Sequence, residues 1–473
     1  MKCEVVMLRI CLTLGAVVLA APAHSQTPGD PYPRPIEATE GVIVVGYSEY
    51  AALPDVGGAR ARPMRLVDEA VAGRIFVNDM QGPIYTISDA GEVRLYLDIN
   101  DPRWDVPVEF SGRERGVQSF ALHPQFSISE TAGYGKVYAW MDTSDRGPTP
   151  DFVSGGGRDT HDTILVEFSA RDVAAVPYDG GPPREILRVE QPFGNHNGGY
   201  LTFNPLAVAG DDDFGLLYVG VADGGSGGDP LALAQNLGVV FGKILRIEPL
   251  GGDSRNEQYG VPRQNPYVSD GDDATLGEIF ASGLRNPQGL AWDPTNGNMF
   301  VTDIGQNIIE EVSLVTAGAD LGWNTWEGSY RFISRQAVAL SDPRSDAGIT
   351  FPIAEYGQLD PLLQSRSAAG GVLVYRGETI PQLRDLVLFA DFPQGEIFYL
   401  SADNLPAGGQ NAIRRVLLRD GERVKRFLDV VAETTVRQGR QPAARADLRF
   451  GQASNGRLFL MNKHDGIIRQ IVP

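Results

Sequence analysis

Short apolar or alternating runs, each closed by a polar turn, recur along the whole chain. The clearest unit spans 281–328, ASGLRNPQGLAWDPTNGNMFVTDIGQNIIEEVSLVTAGADLGWNTWEG, where three such runs are separated by Asp-Pro, Asn-Gly and Gly turns. Period-two alternation with closely spaced turn residues predicts short β-strands rather than helices. A β-run, a turn and a second β-run recur six times. These are GRIFVNDMQGPIYTI (73–87), GKVYAWMDT with TILVEFSA (135–143, 163–170), GLLYVGVADGG with GKILRIEP (215–225, 242–249), GNMFVTDIGQN with EEVSLV (297–307, 310–315), DLVLFADFPQGEIFYL (385–400) and GRLFLMNKHDGIIRQI (456–471). Ahead of five of them lies one more short strand: GVQSFALHP (116–124), GGYLTFNP (198–205), PQGLAWDP (287–294), GGVLVYRG (370–377) and ADLRFGQ (446–452).

Three or four short strands per unit, repeated without helical periodicity, predict an all-β fold, a six-bladed β-propeller. The competing architectures, paired β-sandwiches or a β-helix, do not call for six matching units. Units recur about every 75 residues, against roughly 40–50 in compact propeller repeats, so long loops are expected to decorate one face. The candidates are 144–162, 250–277 and 329–368, rich in Gly, Asp, Ser and Pro. No linker interrupts the pattern, which predicts one domain over 26–473.

Composition adds a compartment. Residues 1–25 read as a secretory signal: Lys2 and Arg9 precede an apolar run from Ile10 to Ala21, and small residues follow at Ala23 and Ser25. That run, about 12 residues, falls short of the roughly 20 that span a bilayer, and no later segment is long and apolar enough. Both cysteines, Cys3 and Cys11, lie inside the signal, so the expected mature protein, periplasmic or secreted, has no thiol. Loss of Lys2, Arg9 and Glu4 takes the formal charge from −19 to −20. So acidic a chain is not expected to bind nucleic acid or anionic membranes, and suits calcium or a cationic redox partner. Acidity also serves solubility alone.

The first strand of a propeller blade lines the central channel, and polar groups stand at the start of three of them. His196 opens GNHNGGYLTF, Arg285 and Asn286 open GLRNPQGLAW, and Glu114 with Arg115 opens RERGVQSFALHP. Convergence at equivalent positions is how a repetitive scaffold builds a site. His196, flanked by Asn195, Asn197 and two glycines, reads as a base or as a turn residue. Arg285 reads as a channel group or a surface cation. His123 reads as structural, and His161 and His464 as members of polar loops. VADGGSGGDP (221–230) carries Asp223 and Asp229 and is compatible with a calcium loop, a long turn, or a carboxylate that reaches His196. No phosphate loop, dinucleotide fingerprint, zinc spacing or nucleophile elbow is present.

Together HNGGYLTF, YVGVADGGSGGDP, LGVVFGKILRI, GLRNPQGLAWDP, DIGQNIIEEVSLV and GADLGWNTWEG resemble the soluble pyrroloquinoline quinone (PQQ)-dependent glucose/sorbosone dehydrogenases, over roughly residues 40–473. The resemblance implies a six-bladed propeller that oxidises an aldose at C1 to the lactone and passes electrons to a cytochrome or other acceptor. It implies that His196 is the general base, Asp223 orients its imidazole, and Arg285 stabilises charge on the quinone. It puts Asn286 and Gln288 beside PQQ, Glu114 at the sugar, and Ca²⁺ on the backbone carbonyls of Gly305 and Gln306. The chain departs from the family where a lysine and two arginines meet the PQQ carboxylates. Thr379, Ala444 and Ala446 stand there, with Arg376 close to the first and Arg445 and Arg449 adjacent to the others; Arg376 and Arg445 are the candidate substitutes. Two other readings follow from that departure: a non-redox propeller that binds carbohydrate or protein, and a metal-dependent hydrolase or lactonase.

Overall fold

The computed structural model describes residues 29–473 apart from positions 70, 159, 160 and 365, so the proposed signal at 1–25 lies outside the described residues. The architecture is all-β and propeller-like. Four meanders are separate four-stranded sheets. The first comprises Pro63–Glu69, Arg74–Asp79, Pro83–Ile87 and Val93–Asp98, and the second Val117–Leu122, Lys136–Thr143, His161–Ser169 and Arg184–Gln191. The third comprises Tyr200–Phe203, Leu217–Val221, Lys243–Ile247 and Ile279–Ala281. The fourth has Pro287–Trp292, Met299–Asp303, Ile309–Val315 and Ala354–Gly357.

Two further meanders are fused into one nine-stranded sheet. Ala369–Tyr375, Leu386–Asp391, Glu396–Ser401 and Arg414–Asp420 form one half, extended by Arg423–Lys425. Arg449–Gln452, Leu458–Met461 and Ile467–Val472 form the other, completed by the N-terminal strand Ile43–Ala52. That strand pairs antiparallel with Ile467–Val472 and parallel with Arg414–Asp420, which joins the two halves and ties one end of the chain to the other. The first strands of successive meanders touch one another, and Arg449–Gln452 touches Pro63–Glu69.

The strands are apolar on both faces because each sheet packs between two others. Val137, Ala139 and Met141 share a cluster with the first sheet's Phe76, while the alternate Tyr138 and Trp140 join the third sheet's Leu201 and Val219. The long loops are partly ordered. Segment 329–368 contributes Ala354–Gly357 to the fourth sheet, and Trp326–Glu327, Tyr330–Ser334 and Ala337–Ala339 form a small separate sheet. The sequence pattern gave no sign of Phe427–Arg437, the one α-helix among the described residues. Asp429 accepts from Arg426 N at its start, and Phe427, Val430 and Val431 are buried beneath it. His161 is corrected from a loop residue to the first, fully buried residue of its strand. No helix among the described residues is long and apolar enough to cross a membrane.

Candidate functional site

In an antiparallel meander the start of the first strand and the end of the second lie at the same edge. Residues from those two positions in several sheets converge on one cavity of about 310 Å³. Glu114 precedes Val117–Leu122, His196 precedes Tyr200–Phe203, and Arg285 and Asn286 precede Pro287–Trp292. Gly305 and Gln306 follow Met299–Asp303, Arg445 and Asp447 precede Arg449–Gln452, and Lys463 follows Leu458–Met461. Gln288 also lines it.

His196 is buried and sits at φ 59°, in the left-handed region. The two glycines after it allow the turn to press on its surroundings. A Cβ on Gly198 would lie 2.7 Å from Ala222 N, and one on Gly199 would lie 2.1 Å from Trp140 Cδ1. Trp140 Nε1 in turn donates to Asn197 O at 3.1 Å. His196 Nδ1 is 2.6 Å from Asp223 Oδ1. That carboxylate also accepts Gly225 N on Oδ1 at 2.9 Å and Trp323 Nε1 on Oδ2 at 2.9 Å. Burial works against ionisation of Asp223, but His196, Arg285 and the Gly225 N–H outweigh it, and its pKa lies below the ordinary carboxylate value. A carboxylate on Nδ1 fixes the Nδ1–H tautomer and leaves Nε2 as the acceptor nitrogen. Glu114 Oε2 accepts His196 N at 2.8 Å, clamping the same turn from the second sheet.

Arg285 and Asn286 are held by Asp303, which accepts their backbone N–H groups at 2.7 and 2.6 Å. Burial, partly offset by those bonds, pushes Asp303 up to about 6. The Arg285 guanidinium lies 5.6 Å from the Trp323 ring, and its Nε is buried without a partner. Gln288 Nε2 donates to Asn286 Oδ1 at 2.8 Å. Glu327 holds the adjoining loop. One oxygen accepts from the backbone of Gln306, Asn307, Ile308 and Ile309 at 2.9–3.1 Å.

Two sequence expectations meet a different arrangement. Arg376 is not brought to the cavity: it follows Ala369–Tyr375 at the strand's far end, where it pairs with Asp293 (2.7 Å), Asp385 (2.9 Å) and Asp403 (2.6 Å). Of the two carbonyls expected to hold Ca²⁺, that of Gly305 accepts Arg285 Nη1 at 2.7 Å, and the neighbouring Ile304 O accepts the same nitrogen at 2.9 Å. Among the described residues no group of three or more His, Cys, Asp or Glu is arranged to hold a metal. Calcium normally takes six to eight oxygens, more than the Gly305 and Gln306 carbonyls alone supply.

The cavity is nonetheless cationic. Arg113, Arg285, Arg445, Arg449 and Lys463 line it against the carboxylates Glu114 and Asp447. Arg445 pairs with Asp447, Nε to Oδ1 at 2.6 Å, and His464 Nε2 is 2.9 Å from Oδ2. Lys463, Trp323, Asp303 and Glu327 were not singled out by the sequence. The buried residues among them look like core positions, and only their register around the cavity gives them a role.

Known proteins sharing the fold include the PQQ-bound aldose sugar dehydrogenase from Streptomyces coelicolor (TM-score 0.58, 19% identity, 90% of this chain and 96% of that one). The soluble aldose sugar dehydrogenase of Escherichia coli in its apo-form has a TM-score of 0.61 at 17% identity, covering 91% of this chain and 99% of that one. The chain belongs to the glucose/sorbosone dehydrogenase family, whose model matches residues 62–433. HIPL1 protein of Arabidopsis thaliana is 28% identical over 361 residues, 68% of this chain, and the match spans about half (49%) of that relative's length.

Proposed function

We propose that the protein is a PQQ-dependent dehydrogenase that oxidises an aldose at C1 to the lactone. It is exported, periplasmic or secreted, and hands electrons to a cytochrome or other external acceptor. The six four-stranded meanders are taken as six blades around one axis, with the cavity at one mouth. The observation that carries the reading is the His196–Asp223 pair facing a cavity with more cations than carboxylates, in a chain of net charge −19.

The side chains suit an anionic, planar cofactor. A cavity of about 310 Å³ is at the small end of ligand sites, roughly 300–1,000 Å³. The unpartnered Arg285 Nε and Asn197 Oδ1 are buried polar atoms at its wall that a ligand would satisfy. Asn286, Gln288, Gln306, the Gly305 backbone and Arg445 would hold PQQ. When bound, it supplies the two-electron acceptor for the hydride from C1. His196 Nε2 takes the C1 hydroxyl proton while Asp223 stabilises the imidazolium. Arg285, with no carboxylate within ion-pair distance among the described residues, keeps positive charge at the wall. Glu114, beside His196, is positioned to meet sugar hydroxyls.

Reconstitution tests this. Purified protein is mixed with PQQ, with and without Ca²⁺, and dye reduction is followed across a panel of aldoses. Cofactor-dependent turnover with at least one aldose is expected. Silence with every sugar, together with no PQQ binding, would overturn the proposal.

A further inference from the structure

The position of the two cations that Asp447 leaves unpaired goes beyond the family pattern. Among the described residues Lys463 Nζ donates only to a backbone carbonyl, Arg113 O, at 3.0 Å. The Arg449 guanidinium lies 3.6 Å over the Phe392 ring and donates to Leu448 O at 3.3 Å. Among the described residues no carboxylate lies within ion-pair distance of either. Asp447 is already engaged by Arg445 and His464. Both cations are partly buried and line the same cavity as Arg285. Paired charges are the rule where side chains leave water, and in so acidic a chain a carboxylate partner would be easy to supply. Leaving two cations unpaired at one cavity wall therefore points to an anion from outside.

Resting on the cofactor reading above, we propose that Arg449 and Lys463 bind the carboxylates of PQQ, in place of the cations absent at Thr379, Ala444 and Ala446. A stacked guanidinium presents a planar fork to a carboxylate, and the adjoining ammonium supplies a point charge. Both come from the last meander, one from the first residue of its first strand and one from the turn after its second. The two positions are 14 residues apart and fall in no shared motif.

The environment supports the assignment. Burial and the neighbouring Arg449 push Lys463 down to about 7, and Arg62 adds to that, while Asp447 and Glu114 oppose it. Burial likewise pushes Arg449 down to about 10. A carboxylate between them favours their charged forms. Above pH 7 binding then requires proton uptake by Lys463, so PQQ affinity is expected to fall as pH rises from 6 to 8.5.

The test is equilibrium titration of the metal-free, cofactor-free protein with PQQ and with its trimethyl ester, which lacks the three charges, followed by quenching of tryptophan fluorescence. Wild type should prefer PQQ at least tenfold. Lys463→Gln and Arg449→Gln should each lose most of that preference, with ester affinity unchanged, and Lys463→Gln should lose the pH dependence. Lys463→Arg should keep the preference. Melting of the cofactor-free Lys463→Met protein should match or exceed wild type, because removing an unpaired buried charge relieves the fold. A marked drop would assign the lysine to structure and overturn the inference. Variants that bind PQQ like wild type would overturn this inference alone. Failure of wild type to bind PQQ would remove the cofactor reading and this inference with it.

Discussion

Asp223→Asn probes the assignment of His196 most sharply. The carboxylate receives three N–H groups: His196 Nδ1 and Gly225 N on one oxygen, and Trp323 Nε1 on the other. Asparagine offers one acceptor oxygen and an N–H pair. With the oxygen toward Trp323, the amide donates to His196 Nδ1, the imidazole adopts the Nε2–H tautomer, and the nitrogen at the cavity no longer accepts a proton. With the oxygen toward His196, the amide meets the Trp323 N–H and a buried donor loses its partner, at about 1–3 kcal/mol. The first arrangement removes the base; the second leaves it without a counter-charge. Turnover should fall about 10²–10⁴-fold, the usual contribution of a general base. PQQ affinity should stay within about threefold. Trp323→Phe is the control: it removes one donor from Oδ2, leaves the tautomer in place, and should cost no more than about tenfold. The assay is dye reduction from pH 5 to 9 on reconstituted protein. Wild-type turnover and an unchanged pH profile in Asp223→Asn would refute the dyad.

Three further outcomes are expected. Gly199→Ala meets both φ +106° and a Cβ 2.1 Å from Trp140 Cδ1, so chemical denaturation should show a loss of roughly 2–4 kcal/mol, and turnover should drop with it. Arg376→Ala strips the buried Asp293 of its ion pair and should destabilise by about 1–3 kcal/mol, with PQQ affinity unchanged. Asp391 is fully buried, and desolvation, aided by repulsion from Glu396, raises it to about 7. Its folded-state value lies above the unfolded one, so the folded protein holds the extra proton between about pH 4 and 7. Its contribution is therefore lost as pH rises toward 7, and Tm should fall from pH 5 to pH 8. Asp391→Asn should flatten that decline.

Much of this was legible in the chain because the repeats place strand starts where the eye can align them. HNGG and GLRNPQG mark the beginnings of first strands, and their polar residues indeed share one cavity. Arg376 misled for the same reason in reverse. GGVLVYRG aligns well, but Arg376 follows the last residue of Ala369–Tyr375, some 20 Å along an extended strand from its start at about 3.3 Å per residue. Its partner Asp293 likewise follows Pro287–Trp292. That Arg285 donates to the Gly305 carbonyl was not legible, because backbone groups carry no sequence signature. Arg449 is visible in ARADLRFG beside Ala444 and Ala446 but carries no assignable role there, and Lys463 escaped altogether, because their proximity depends on the register of the last sheet, in which Arg449 stands opposite Met461.

The central claim is that the imidazole of His196 takes the proton from a sugar hydroxyl in the oxidation that bound PQQ would make possible. Its most direct measurement is a single turnover without external acceptor: an aldose is added anaerobically to PQQ-loaded protein and bleaching of the oxidised-quinone absorbance is followed. Wild type should bleach rapidly, and His196→Ala, loaded to the same extent, should bleach at least 100-fold more slowly. Equal rates in the two proteins would contradict the account.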